Sequence, residues 1–532
     1  MSIPKWITVP SVLIALLSII PILYLLIRSL DADQQTWQWI MRPNTLFVLG
    51  RSVALTFSVT LICILISIPI GWITTHTNVP YRRFWSIVTI LPLVIPSYIG
   101  AYIFISIMGP SGFITQLLAT LGIDFKMPSL YGFVGSTFTL SFLSFPYILL
   151  TVRSALVNLD PILLDASHVL GIKKSRTLLR ITIPQLRAAT ISGGLLVALY
   201  TLSDFGAVSL LRYKTFTWSI YAQYEASFDR HTAALMSLVL FSVAMTIIVI
   251  FSAARNRAVY YRSSSGSKRP NTIFNLGKMK WLAFAFCGLV FVVSIVTPVF
   301  VLSTWLVKGV LNGERLDNLF TMSMNSIALA LATSVLVVLI SIPVSYLATR
   351  HRGIFSQAIE KLCFTGFALP SIAVALALVF VGAQIGRPLY QSLWLLILGC
   401  GILFIPAGIG SVKTSILQIN PRLEDSARTL GKSQFIATTK TTIPLIKSGI
   451  FMAFATVFLI TMKELPAVLL LAPLYFHTLT TAIWSYSSEA FFARAAFPSI
   501  IILLISAIPM SVILFFQGGS PKSVGQISDI RS

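Results

Sequence analysis

Apolar runs of about 20 residues, separated by short polar stretches, recur along the whole chain. A helix of about 20 residues crosses a bilayer core of about 30 Å. The pattern predicts spans near 8–29, 52–74, 86–108, 130–152, 189–212, 234–253, 282–306, 326–349, 362–385, 391–411, 449–472 and 497–516. That makes about twelve helices, six on either side of the basic stretch Arg255–Lys280. The short alternating segments of a transmembrane barrel do not occur. The first run follows Lys5, is about 20 residues long and lacks a small-x-small cleavage site before Arg28, so it reads as a retained helix rather than a signal peptide.

Composition agrees. Hydrophobic residues make up 56% and charged residues 10%, against about 25% charged in a soluble domain, so lipid must solvate much of the surface. The net charge of +23 is mostly topological. With the N-terminus in the cytoplasm, 27 of the 39 Lys and Arg fall in cytoplasmic segments, which places both termini there. These basic residues are spread over many loops, so they do not form a nucleic-acid surface. Cys63, Cys287, Cys363 and Cys400 all sit in apolar runs and show neither zinc nor disulfide spacing.

The chain repeats itself. Asp160-Pro161, Asp165-Ala166-Ser167 and Leu170-Gly171 match Asn420-Pro421, Asp425-Ser426-Ala427 and Leu430-Gly431 at an offset of 260. The same offset relates Ile183-Pro184 to Ile443-Pro444, and Pro146 to Pro406. Upstream, Ser67-Ile68-Pro69 matches Ser341-Ile342-Pro343, and Pro96-Ser97 matches Pro370-Ser371, at an offset of 274. The expected organisation is two parallel repeats of about six helices, at 1–254 and 282–532, joined by a cytoplasmic linker at 255–281.

Each half carries a polar loop, 160–184 and 420–444, between its fourth and fifth helices. Asp160 or Asn420 supplies an N-cap, followed by Pro at the first helical position. Gly171 or Gly431 supplies a break with φ > 0. A minimal connector needs none of this, so a rigid helix presented twice suggests docking of two copies of a partner. Asp165-Ala166-Ser167…Gly171…Ile183-Pro184 and Asp425-Ser426-Ala427…Gly431…Ile443-Pro444 resemble the EAA loop of ABC importer permeases. Both copies open with Asp rather than Glu, and neither keeps the full Ala-Ala pair.

That resemblance covers essentially the whole chain. It implies a type I ABC importer permease fold in a bacterial inner membrane, with the two loops as coupling helices seated on a homodimer of separate ATPase subunits. ATP and magnesium would belong to that partner, and a binding protein would deliver the cargo from outside. The chain itself is expected not to be an enzyme and to hold no cofactor or permanent metal. Gly431-Lys432-Ser433 has only the tail of a phosphate-binding loop, because Ser426 stands where the first Gly belongs.

Asp204 and Glu464 are the acids inside predicted spans, at equivalent repeat positions, and each precedes a helix breaker, Gly206 or Pro466. One reading has them line a translocation path that favours a cation. The other has them cap the half-helix after the break, or has Lys463 neutralise Glu464. Ser203–Val208 with Leu211–Thr217, and Lys463–Ala467 with Thr478–Thr480, look like the fused two-half ferric-iron permeases. Fused thiamine permeases are similar, and spermidine and phosphonate importers are more distant. Tyr213, Trp218, Tyr221 and Tyr224 in the outer loop suit either a membrane-interface belt or a rim for the binding protein. A secondary transporter is the rival class, but it needs no pair of docking helices.

Overall fold

The computed structural model describes residues 4–31, 33–109, 112–123, 130–157, 159, 174–225, 230–256, 273–314, 318–351, 353–384 and 386–518. These residues are helical with short turns, apart from one isolated bridge between Thr77 and Phe274. The first half contributes α1 (Lys5–Leu30), α2 (Pro43–His76), α3 (Ser97–Met108), α4 (Phe133–Val157), α5 (Arg187–Ser203) and α6 (Arg230–Asn256). The second contributes α7 (Met279–Leu311), α8 (Leu319–Arg350), α9 (Ser371–Gln384), α10 (Leu393–Leu417), α11 (Lys447–Thr461) and α12 (Phe492–Gly518). Nine helices among the described residues are long and apolar enough to cross a membrane, or eleven when two bent pairs count as one span each.

Several predicted spans differ from the helices found, and proline explains much of the difference. The runs 86–108 and 362–385 were expected to be continuous. Each instead breaks before Pro96-Ser97 or Pro370-Ser371. The helix Ile354–Cys363, with its 3-10 extension to Phe367, bends by 103° into α9. A residue before proline disfavours the helical backbone, so the chain turns there. The spans 189–212 and 449–472 likewise break, at Asp204 and near Glu464, into α5 with Gly206–Leu210 and α11 with Pro466–Leu471. Pro69 and Pro343, and Pro146 and Pro406, stay inside their helices. Serine hydroxyls bond carbonyls nearby: Ser67 donates to Phe145 O (2.7 Å) and Ser345 to Ile409 O (3.3 Å).

The halves pack alike. α2, α4 and α5 form one three-helix unit, and α8, α10 and α11 form its counterpart. Each half's first helix lies against the other half. α1 packs on α8 and α9, and its Ile7 and Ile14 join a core with Leu347, Ile409 and Ile446. α7 packs on α3, and its Cys287 joins Ile73, Val79 and Trp85. The largest core cluster straddles the seam, where Tyr98, Ile99, Tyr102 and Phe205 meet Ile372, Phe380, Met462 and Leu465. The exchange of first helices makes separation of the halves costly, because it would expose two apolar faces at once.

Candidate functional site

Two places carry the polar chemistry: the helix breaks at the seam and the loop after α10. At the first break, Asp204 is buried and its Oδ1 accepts the backbone N–H groups of Ala207 (3.0 Å) and Val208 (3.4 Å). It is the cap of the half-helix Gly206–Leu210, whose first N–H groups lack partners within the helix. Ser97 stands beside the Asp204 carboxylate. At the second break, Glu464 Oε1 accepts the N–H of Ala467 (3.1 Å), and Ser371 stands beside its side chain. Ser97 and Ser371 are repeat equivalents, so the acid, its serine and its cap occur twice.

The breaks touch one another. A Cβ built on Gly206 would lie 2.9 Å from Tyr98 Cβ and 3.3 Å from Leu465 Cδ2, so only glycine lets the two chain breaks approach this closely. The Phe205 ring packs on Trp484 at 5.1 Å. Lys463 does not neutralise Glu464. Its Nζ crosses the seam and donates to Leu93 O at 2.5 Å.

The second loop matches its sequence closely. Asn420 Oδ1 accepts the N–H of Arg422 (3.1 Å) at the start of the helix Arg422–Thr429. At its end Gly431 has φ +80. Lys432 N–H reaches Ala427 O (3.2 Å) and Gly431 N–H reaches Arg428 O (3.0 Å), the paired bonds of a Schellman stop. The chain then runs through Gln434–Ala437 and a wide π-helical turn, Thr438–Thr442. After Leu445 it bends by 68° into α11.

Asp425 is 65% exposed along its side chain and pairs only loosely with Arg428, at 3.8 Å. Around it stand exposed apolar side chains, Leu423, Phe435 and above all Leu430 at 81%. Asp425, Arg428, Gly431, Lys432 and Gln434 line a shallow hollow beside the helix. Ser426 and Ala427 lie in the same helix, with Ser426 bonded back to Arg422 O. Asp165, Ala166, Ser167 and Gly171 of the first loop lie outside the described residues. Pro184 is described, in the turn Ile183–Gln185 that leads into α5, after a π-helical stretch Leu178–Thr182 like that of the second half.

Sequence reasoning passed over the neighbour of Asp425. Glu424 is buried and accepts three hydrogen bonds: from Tyr346 Oη (2.5 Å), Thr442 Oγ1 (2.6 Å) and Arg350 Nε (3.2 Å). Tyr346 and Arg350 lie one turn apart at the end of α8, which was the available signal. Three of the outer aromatics pack within the protein. Tyr213 is buried, bonds Arg51 O (3.2 Å) and has the Arg51 guanidinium 4.3 Å over its ring. Tyr221 packs on Phe205, and Tyr224 on Phe380.

The comparisons with known proteins agree with this architecture. Residues 67–260 and 341–518 each match the model of the binding-protein-dependent transport system inner membrane component. The chain is 31% identical over 512 residues to the Fe(3+)-transport system permease protein FbpB 2 of Haemophilus influenzae, spanning 95% of this chain and 97% of that one. It is 25% identical to the ferric transport system permease protein FbpB of Actinobacillus pleuropneumoniae, over 81% of this chain and 65% of that one. The molybdate/tungstate transport system permease protein WtpB of Methanocaldococcus jannaschii, matched over 97% of its length at 27% identity, covers 47% of this chain. The chain therefore belongs to the binding-protein-dependent ABC importer permeases of the inner membrane, with two copies of the permease domain fused in one polypeptide.

Proposed function

We propose that this permease imports ferric iron delivered by an external binding protein, driven by a homodimer of ATPase subunits on the cytoplasmic face. The observation that carries the cargo assignment is the end-to-end likeness to a permease named for Fe(3+) transport. The acids favour the same cargo. Asp204 and Glu464 stand beside the seam between the halves, where an oxyanion would meet two carboxylates and a cation would be drawn. Asp425 with exposed Leu423 and Leu430 gives the second loop a mixed apolar and charged docking face. Asp165, Ala166, Ser167, Gly171 and Pro184 take the same part in the first loop, as Ser426, Ala427, Gly431 and Pro444 do in the second. Both termini lie with the loops in the cytoplasm. The halves rock about the seam as the ATPases close and open.

The test is uptake in proteoliposomes holding the chain, its ATPase and its binding protein. ATP-dependent ferric uptake that needs the binding protein is expected. Uptake of thiamine, spermidine, a phosphonate or molybdate in its place would overturn the cargo. Uptake driven by an ion gradient without ATP would overturn the class. Asp204→Asn sharpens the seam assignment, because Asn caps a helix about as well as Asp while removing the charge. Loss of uptake in Asp204→Asn and Glu464→Gln at normal protein levels is the expected result. Normal uptake in both would mean that the acids serve only as caps.

A further inference from the structure

We infer that Glu424 is a positioning residue for energy coupling, a strut that fastens the second coupling helix to α8, at a position where the first half carries Leu164. The inference rests on the reading that this loop docks an ATPase. Asp425 faces outward, paired only loosely with Arg428, whereas Glu424, one position earlier, is turned into the protein. A buried carboxylate needs donors, and Glu424 has three from two separate segments: Tyr346 and Arg350 on α8, and Thr442 at the end of the π-helical turn.

The partners are themselves held. Arg350 Nη2 also donates to Ile419 O (3.2 Å), just before the coupling helix. Thr438 Oγ1 donates to Tyr346 Oη (3.1 Å). Trp6 at the start of α1 packs between Tyr346 (6.2 Å) and Phe435 (5.1 Å). A push on the coupling helix is therefore delivered to α8 through hydrogen bonds with fixed geometry, and to α1 through the ring contacts of Trp6. Shifting the positions by the repeat offsets gives Leu164 for Glu424, Trp72 for Tyr346, His76 for Arg350 and Leu178 for Thr438, while Thr442 keeps a threonine, Thr182. The carboxylate and its charged partner at these positions are thus particular to the second half.

The experiment uses the full chain reconstituted with its ATPase and binding protein, and measures ferric uptake and ATP hydrolysis together. Wild-type ATP-driven uptake first tests the functional reading, and its absence overturns that reading and the strut with it. In Glu424→Gln, which keeps size and loses charge, uptake is expected to fall about tenfold, the equivalent of one charge-assisted hydrogen bond. Hydrolysis should fall less, so that more ATP is spent per ion imported. Tyr346→Phe keeps the ring against Trp6 and should shift the same ratio less. Glu424→Asp, retaining the charge, should restore part of the coupling. An unchanged ATP-to-iron ratio in Glu424→Gln overturns the proposal, whether uptake and hydrolysis stay normal or decline together with the melting temperature.

Discussion

The two halves hold their loop-bearing ends by different chemistry. In the first half, Arg153 donates to the backbone carbonyl of Ser86. The end of α2 is tied to the segment before α7 by backbone: Phe274 N–H donates to His76 O (2.7 Å) and Asn78 N–H to Phe274 O (3.3 Å). Asn78 and Asn275 add a side-chain bond at 2.9 Å. In the second half, Lys413 stands where Arg153 stands and Glu360 where Ser86 stands, and the two form an ion pair. Arg350 and Glu424 form another at 3.2 Å. Equivalent helices are thus fixed through carbonyls on one side and carboxylates on the other. Among the described residues the carbonyl version holds the first half, which leaves the ionic version of the second free to carry a mechanical task.

Substitutions that make one half resemble the other test this contrast. The largest effect is expected from Glu424→Leu, which installs the residue of the first half. It strands Arg350 and Thr442 without their acceptor, at a cost of roughly 3 kcal/mol read as a lowered melting temperature of the purified chain. Adding Arg350→His and Tyr346→Trp completes the graft, and part of the loss should return, because partners removed together leave less unpaired charge. A purely additive decline would mean that the three side chains do not act as one unit.

Next in size is Gly431→Val. A β-branched residue forced to φ +80 costs about 1–2 kcal/mol and should loosen the end of the coupling helix, lowering uptake more than stability. Equal uptake in wild type and variant would show that the Schellman stop does not set the loop's position. The smallest effect belongs to Lys413→Met. Both groups of that pair are partly exposed, so the loss should stay within about 1 kcal/mol and shrink further at high salt. Its counterpart Arg153→Met should show less salt dependence, because it loses a bond to a neutral carbonyl.

Much of the fold could be read in the sequence because lipid imposes a simple rule: apolar length gives span, and repetition gives the two halves. The second loop was equally plain, since Asn420, Pro421 and Gly431 each do a local backbone task that the residue type itself announces. The breaks at Pro96 and Pro370 were missed because hydropathy is blind to direction, and a bent apolar segment scores like a straight one. Asp204 and Glu464 stood out as acids in apolar runs, but only the coordinates show their caps and their repeated serine neighbours. Glu424 was missed for the opposite reason. It sits in a polar loop where an acid is unremarked, and its burial comes from Tyr346 and Arg350, more than 70 positions away in the chain.

The most direct measurement of the strut is amide hydrogen exchange across Arg422–Leu445 in the full chain, wild type against Glu424→Gln. Exchange about tenfold faster in the variant, confined to this segment and the end of α8, is the predicted result. Identical exchange in the two proteins would contradict it, because the coupling helix would then be held by something other than Glu424.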